Sequence, residues 1–236
     1  MTYLQENLSR NLVALSATWL GLTIGALQAA EPQSPLTVAV LIFDGVELLD
    51  FAGPAEVFIV ANQRRAFQVI TVAPTTDLIK TMGGISIKPD YSLSDAPAAD
   101  ILVVPGGNLH SVQDEGVQWL AKSAESAEVV MSVCFGALLL ADAKLLDGIE
   151  ATTHQWAIES LRRAAPKCQV VTDRRFVDSG KIVTTAGVAA GIDGALHVVE
   201  RLAGKEVAQW TAESWMEYRR LGATDSVRAG AIPPEG

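Results

Sequence analysis

Cysteine and histidine are scarce in these 236 residues, two of the first and three of the second. They never fall together at metal-ligand spacing, so neither a structural zinc nor any other metal is expected. Two cysteines are also too few for a disulfide framework, and their spacing does not say whether Cys134 and Cys168 meet. Positive charge is the second shortage. Lys and Arg total 18 against 27 Asp and Glu, a net charge of −9. The pairs in "RRAF" from Arg64 and "DRRF" from Asp173 are isolated and read as solvated surface. Nucleic-acid binding rests on neutralising phosphates with Lys and Arg, so no nucleic-acid partner is expected. Internal repeats and low-complexity tracts are absent as well. From Leu36 onward no run is long and apolar enough to cross a bilayer.

What the chain does hold is apolar surface: 49% of its residues are hydrophobic and 19% charged, enough for a substantial core. Its first 30 residues stand apart. A polar start, "MTYLQENLSR", precedes "NLVALSATWLGLTIGALQAA" and the Pro-containing break "EPQSP". Residues 1–30 are expected to be a signal peptide and 31–35 a linker, which would make the protein periplasmic or secreted. An uncleaved signal anchor and a buried N-terminal helix are the competing readings, because about 20 such residues can just span a bilayer. Only an uncleaved anchor would make a membrane the protein's partner.

From residue 36 to 221 strands and helices alternate. "LTVAVLIF", "FQVITVA", "DILVVPGG" and "EVVMSV" are near-continuous apolar runs, the pattern of strands buried on both faces. "CQVV" and "KIVTTAG" read as further strands, and "MGGISIKPDYSLSDAP" as a hairpin or excursion. "GPAEVFIVANQ", "EGVQWLAKSAESA", "WAIESLRRAA", "AAGIDGALHVVERLAG" and "KEVAQWTAESWMEYRR" have helical spacing. In the first of these, Pro54 suits the opening turn. The helix after Cys134 is expected to run to "LLDG" and to cap on Gly148. The alternation predicts an α/β domain, a doubly wound and mostly parallel sheet with helices on both faces. Residues 222–236 read as a flexible tail.

Ligands of such a sheet sit beyond the carboxyl ends of its strands. That rim holds "DGVELLDFAGP" with Asp44, Glu47 and Asp50, then "PGGNLH", Cys134 and "TTHQW". Cys134 is either a small core hydrophobe or a nucleophile, and its place between strand and helix favours the second. The turn lifts the thiol off the sheet, and the following helix points its positive end at the sulfur, which is expected to favour the thiolate. Amides of Gly107, Asn108 and Phe135 are candidate oxyanion donors. Asp50 is a candidate proton shuttle or a helix cap. His154 is a further candidate beside a structural reading. Asp44 and Glu47 fit a solvated turn, and His197 a helix face.

The blocks "VAVLIFDGVELLDFAGPAEVF", "DILVVPGG", "SVCFGALLLADAKLLDGIEATTHQW" and "TTAGVAAGIDGALHVVERL" resemble the ThiJ/PfpI superfamily. The resemblance is strongest to the branch of isonitrile hydratases and the ligand domains of AraC-type regulators. It implies a flavodoxin-like sheet of the class I glutamine amidotransferase type, a homodimer, and a carboxylate, here Asp50, against the sulfur of Cys134. It implies a cofactor-independent enzyme that hydrates or hydrolyses a small electrophilic molecule. A thiol-based stress sensor and a non-catalytic small-ligand domain remain open beside it. Three departures matter. Phe135 stands where protease-type relatives have histidine and isonitrile hydratases threonine. "TTAGVAAGID" lacks the His-x-Glu of glutamine amidotransferases. The chain also ends soon after its last predicted helix, so a helix-turn-helix domain is not expected.

Overall fold

The computed structural model describes residues 34–64 and 67–219. The segments read as signal or anchor (1–30) and as tail (222–236), with most of the linker, lie outside the described residues. In chain order the elements are β1 (Leu36–Leu41), α1 (Leu48–Ala61), β2 (Phe67–Ala73), β3 (Ile79–Lys80), β4 (Ser86–Ile87) and β5 (Tyr91–Ser92). They continue with β6 (Ile101–Val104), α2 (Gln113–Ser126), β7 (Val129–Val133), α3 (Gly136–Asp142), β8 (Glu150–Ala151) and α4 (Ile158–Ala164). The last are β9 (Gln169–Val170), β10 (Phe176–Ser179), β11 (Ile182–Thr185), α5 (Ala190–Ala203) and α6 (Lys205–Gln209).

Seven strands form one sheet in the order β10-β11-β7-β6-β1-β2-β5, parallel throughout except for β10 against β11. The central strands β6, β7 and β11 are buried along their whole length, which is why their sequences carry no polar alternation. Right-handed crossovers put α1 on one face and α2 on the other, because β1→β2 and β6→β7 run in opposite directions across the sheet. α5 packs on α1, and α3 contacts α2 and α4. The direction of winding reverses between β1 and β6. The crevice beyond their carboxyl ends is therefore the expected ligand position. This is the flavodoxin-like, doubly wound architecture that the sequence predicts.

Four local readings change. The helix after Cys134 ends at Asp142, well before Gly148. Lys144 takes a left-handed conformation (φ 60°), its N–H reaches the Ala141 carbonyl, and the Leu145 N–H reaches that of Leu140. Those two bonds close a Schellman cap with lysine in the glycine position, so the pattern of residues gave no stop signal there. Pro54 sits inside α1 rather than in its first turn, because the helix starts at Leu48. "CQVV" pairs with β8 in a separate two-stranded sheet. "KEVAQWTAESWMEYRR" is α-helical only to Gln209 and then widens through Trp210–Trp215, with the Met216 N–H bonding the Thr211 carbonyl five residues back.

"DRRF" is not simply solvated surface either. Arg175 donates from Nε to the Asp193 carboxylate at 2.9 Å, and the Asp193 side chain is fully buried. Next to it lies β10, which the sequence reading passed over. Gly180 (φ 85°) and Lys181 form its two-residue turn into β11, and the Asp178 carboxylate accepts the Gly180 N–H at 2.8 Å.

Candidate functional site around Cys134

Cys134 follows β7 with φ 57°, a conformation that costs a non-glycine residue about 1–2 kcal/mol. Neighbouring elements hold it there. Its N–H donates to the Thr185 carbonyl at 3.2 Å, and its own carbonyl accepts the Thr153 hydroxyl at 2.7 Å. The α3 start comes close underneath. A Cβ on Gly136 would stand 2.0 Å from the Val104 carbonyl oxygen, so only glycine permits this approach. The side chain is thus presented at the end of the sheet on a strained turn, as nucleophile elbows present theirs.

Asp50 lies beneath the sulfur, fully buried in the first turn of α1. It is not the cap of that helix. Glu47 occupies the cap position, and the Asp50 carboxylate turns inward instead. One oxygen, Oδ2, accepts the Gly106 N–H at 3.1 Å; the other has no nitrogen or oxygen donor. The Cys134 thiol lies against this carboxylate, and the two interact electrostatically. Gly106 has no room for a side chain, since its Cβ would stand 2.8 Å from both Asp50 Oδ2 and the Phe135 nitrogen. Pro54, four residues on, has no N–H to give the Asp50 carbonyl, which loosens α1 where the carboxylate sits.

Burial pushes the Asp50 carboxyl up to about 6, against the opposing pull of the Gly106 amide and the thiol. Burial, then the charge on Asp50, pushes the Cys134 thiol up to about 12, although the Phe135 and Val188 amides favour the thiolate. The expectation of a thiolate favoured by the helix end is therefore corrected. α3 has only seven residues, and its influence is smaller than the cost of placing a second negative charge beside a buried carboxylate. Burial and the neighbouring carboxylate thus both favour the neutral thiol.

Above the sulfur is a cavity of about 230 Å³ lined by Glu47, Met82, Gly107, Cys134, Phe135, His154, Trp156 and Val188. The structure thus brings together four residues that the sequence singled out (Cys134, Phe135, Gly107 and His154), with Asp50 directly below. Asn108 does not join them. Its backbone N–H, the expected oxyanion donor, is committed to the Gly45 carbonyl at 2.9 Å, and its side chain reaches Ser111 Oγ at 3.2 Å, away from the lining of this cavity. Glu47 departs from the solvated-turn reading, since it lines the cavity and its charge helps to raise Asp50. Asp44 keeps that reading, exposed and accepting the Lys80 N–H at 2.7 Å.

His154 packs its ring edgewise on Phe135 and Trp156, with centroids 5.7 and 5.0 Å away. Its Nδ1 accepts the Trp156 N–H at 3.3 Å, and burial lowers its pKa. The neutral ring therefore carries its proton on Nε2, as a donor. His197 has the helix-face role expected of it, bonding Asp178 Oδ2 at 2.6 Å and tying α5 to β10. The sequence reading missed Val188. Its φ of 39° is strained for a β-branched residue, and its amide, facing both groups, favours the charged forms of Asp50 and Cys134. The rule that found the other residues, looking just past each buried strand, would have found it after β11.

Residues 36–201 match the DJ-1/PfpI family. The chain is 33% identical to an isonitrile hydratase of Pseudomonas putida over 84% of its own length and 85% of that enzyme. It is 28% identical to the HTH-type transcriptional regulator GbdR of Pseudomonas aeruginosa over 81% of its length, but spans only 53% of that regulator. A crystal structure of a ThiJ/PfpI family protein from Pseudomonas syringae superposes with a TM-score of 0.72 at 27% identity, covering 84% of this chain and 81% of the other.

Proposed function

Since the chain belongs to the DJ-1/PfpI family, we propose that it is a cofactor-independent cysteine enzyme that adds water to a small electrophilic molecule. One observation carries this reading: a thiol on a strained elbow, opening into a cavity and set against a buried carboxylate. As sulfur bonds to the electrophilic carbon, Asp50 takes the thiol proton and passes it to the substrate. Water then adds its oxygen to the same carbon, the carbon–sulfur bond breaks, and a proton returns through Asp50 to sulfur. Developing negative charge meets the N–H groups of Phe135 and Gly107, of which the second has no acceptor among the described residues. Phe135 supplies no hydroxyl, so the proton path falls to Asp50 in this reading.

Isonitriles are the first substrates to try, given the enzyme that this chain resembles, and formation of the N-substituted formamide is the readout. Cys134→Ser should reduce turnover at least 1,000-fold with an unchanged melting temperature, by analogy with the loss of other catalytic nucleophiles, about 10⁶-fold. A Ser variant of undiminished rate would overturn the mechanism. A second reading is a ligand-binding domain without turnover, favoured by the protonated thiol and by the likeness to a regulator. Substrate binding that persists in Cys134→Ser, together with no product from the unmodified protein, would establish it. The raised thiol disfavours a redox sensor, whose cysteine needs thiolate character and exposure.

A further inference from the structure

The cavity over Cys134 combines carboxylates with an apolar wall. Among the described residues, Met82, Phe135, Trp156 and Val188 line it, and no Lys or Arg does. Glu47 stands on its edge and Asp50 beneath it, while His154 is held neutral. A ligand bearing a carboxylate or phosphate would bring a further negative charge into this low-dielectric space with no counter-ion. An uncharged ligand meets no such barrier.

Two lining residues stand far out in water for their chemistry. Trp156 is 68% exposed and Met82 is 65% exposed. They come from separate segments that the backbone fixes in place. Met82 donates its N–H to the Val46 carbonyl at 3.0 Å, beside the bond from the Gly45 N–H to the Lys80 carbonyl. Trp156 follows His154 in a short helical turn, Gln155–Ala157. Two large apolar side chains at the mouth of an apolar cavity lose their contact with water when a ligand's apolar group lies between them.

At the far side, Phe135 and Gly107 also line a second and larger groove of about 600 Å³, which includes Asn108, His110, Asp114 and Asp142. Phe135 therefore borders both a small apolar chamber and a larger groove of mixed character. A chamber of about 230 Å³ falls below the roughly 300–1,000 Å³ of drug-sized sites.

Deepening the reading of this cavity as the place where the electrophile is attacked, we infer that it selects uncharged molecules with one compact apolar substituent. Trp156 and Met82 receive that substituent, and Phe135 sets its length. Binding to the Cys134→Ser protein tests this apart from chemistry, by calorimetry at pH 8 with benzamide, benzoate and 4-phenylbutyramide. Cys134→Ala serves if the Ser protein melts early. Benzamide should bind at least 10-fold tighter than benzoate. Adding Trp156→Ala or Met82→Ala should weaken benzamide at least 5-fold, and Trp156→Phe should retain most of the affinity. Adding Phe135→Ala should weaken benzamide and tighten 4-phenylbutyramide at least 5-fold. The inference is overturned by benzoate binding as tightly as benzamide, or by no benzamide binding to a folded protein. It is equally overturned by an unchanged length preference in Phe135→Ala, or by Trp156→Ala having no effect. Failure of the proposed catalysis would show differently, as selective binding with no product from the unmodified chain.

Discussion

Asp50 holds an acid where water cannot solvate it, and that placement sets function against stability. Its carboxyl rises from an ordinary 3.8 to about 6 in the folded protein, so the native state holds the proton more tightly than the unfolded chain. The stability this confers is complete below about pH 4 and is lost as the pH rises to about 6. Asp50→Asn, which has nothing to ionise, should be more stable than the unmodified protein at pH 8 by up to about 3 kcal/mol. Chemical denaturation should show that advantage vanishing near pH 4. The same variant should lose turnover. In the unmodified protein kcat/KM should climb with pH through about 6 as Asp50 becomes a base; a flat profile from pH 5 to 8 would remove Asp50 from the proton path. Nothing in "LLDFAGP" announces the shift. The residue type and its place on the rim are legible in the sequence, but the direction of a titration depends on what is packed above it.

At the scale of the element, α3 shows where the sequence informs and where it does not. That a helix follows Cys134 is plain from "FGALLLADAKLLDG". Its length is not, because Lys144 occupies a left-handed cap position that normally belongs to glycine. Lys144→Gly should therefore stabilise the protein by about 0.5–1 kcal/mol, the relief of the left-handed strain exceeding the entropy that glycine adds to the unfolded chain. Lys144 is exposed, so a melting shift should come without a change in activity. Gly136→Ala should do the reverse. A methyl group directed at the Val104 carbonyl, 2.0 Å away, must push α3 off β6 and carry the Phe135 amide with it, lowering kcat more than it raises KM. The apolar runs of β1, β6 and β7 were legible because both faces of each strand are covered. β10 was not, since an edge strand of four residues has little hydrophobic pattern to show.

Across the whole molecule, the alternation of strands and helices was enough to predict the winding of the sheet, and that winding placed the site. What it could not supply is which surface charges turn inward. Arg175 and Asp193 are 18 residues apart in sequence, and Tyr218 adds its hydroxyl to the same carboxylate at 3.2 Å. One buried acid thus gathers the approach to β10, the first turn of α5 and the last described turn of the chain. Arg175→Met should cost about 3 kcal/mol in urea denaturation, because it takes the guanidinium away from a buried carboxylate. The double change Arg175→Met with Asp193→Leu should cost less than the single one. The two bonds that pin the Cys134 backbone have a consequence of another kind, in time. They come from Thr153 and Thr185, both of which leave the ribosome after the cysteine does. A growing chain can build β1, β6 and β7 with its thiol exposed yet unable to hold the elbow. On the proposed mechanism the thiol reaches its working geometry only when β11 pairs with β7, so the scaffold is complete before the chemistry can start.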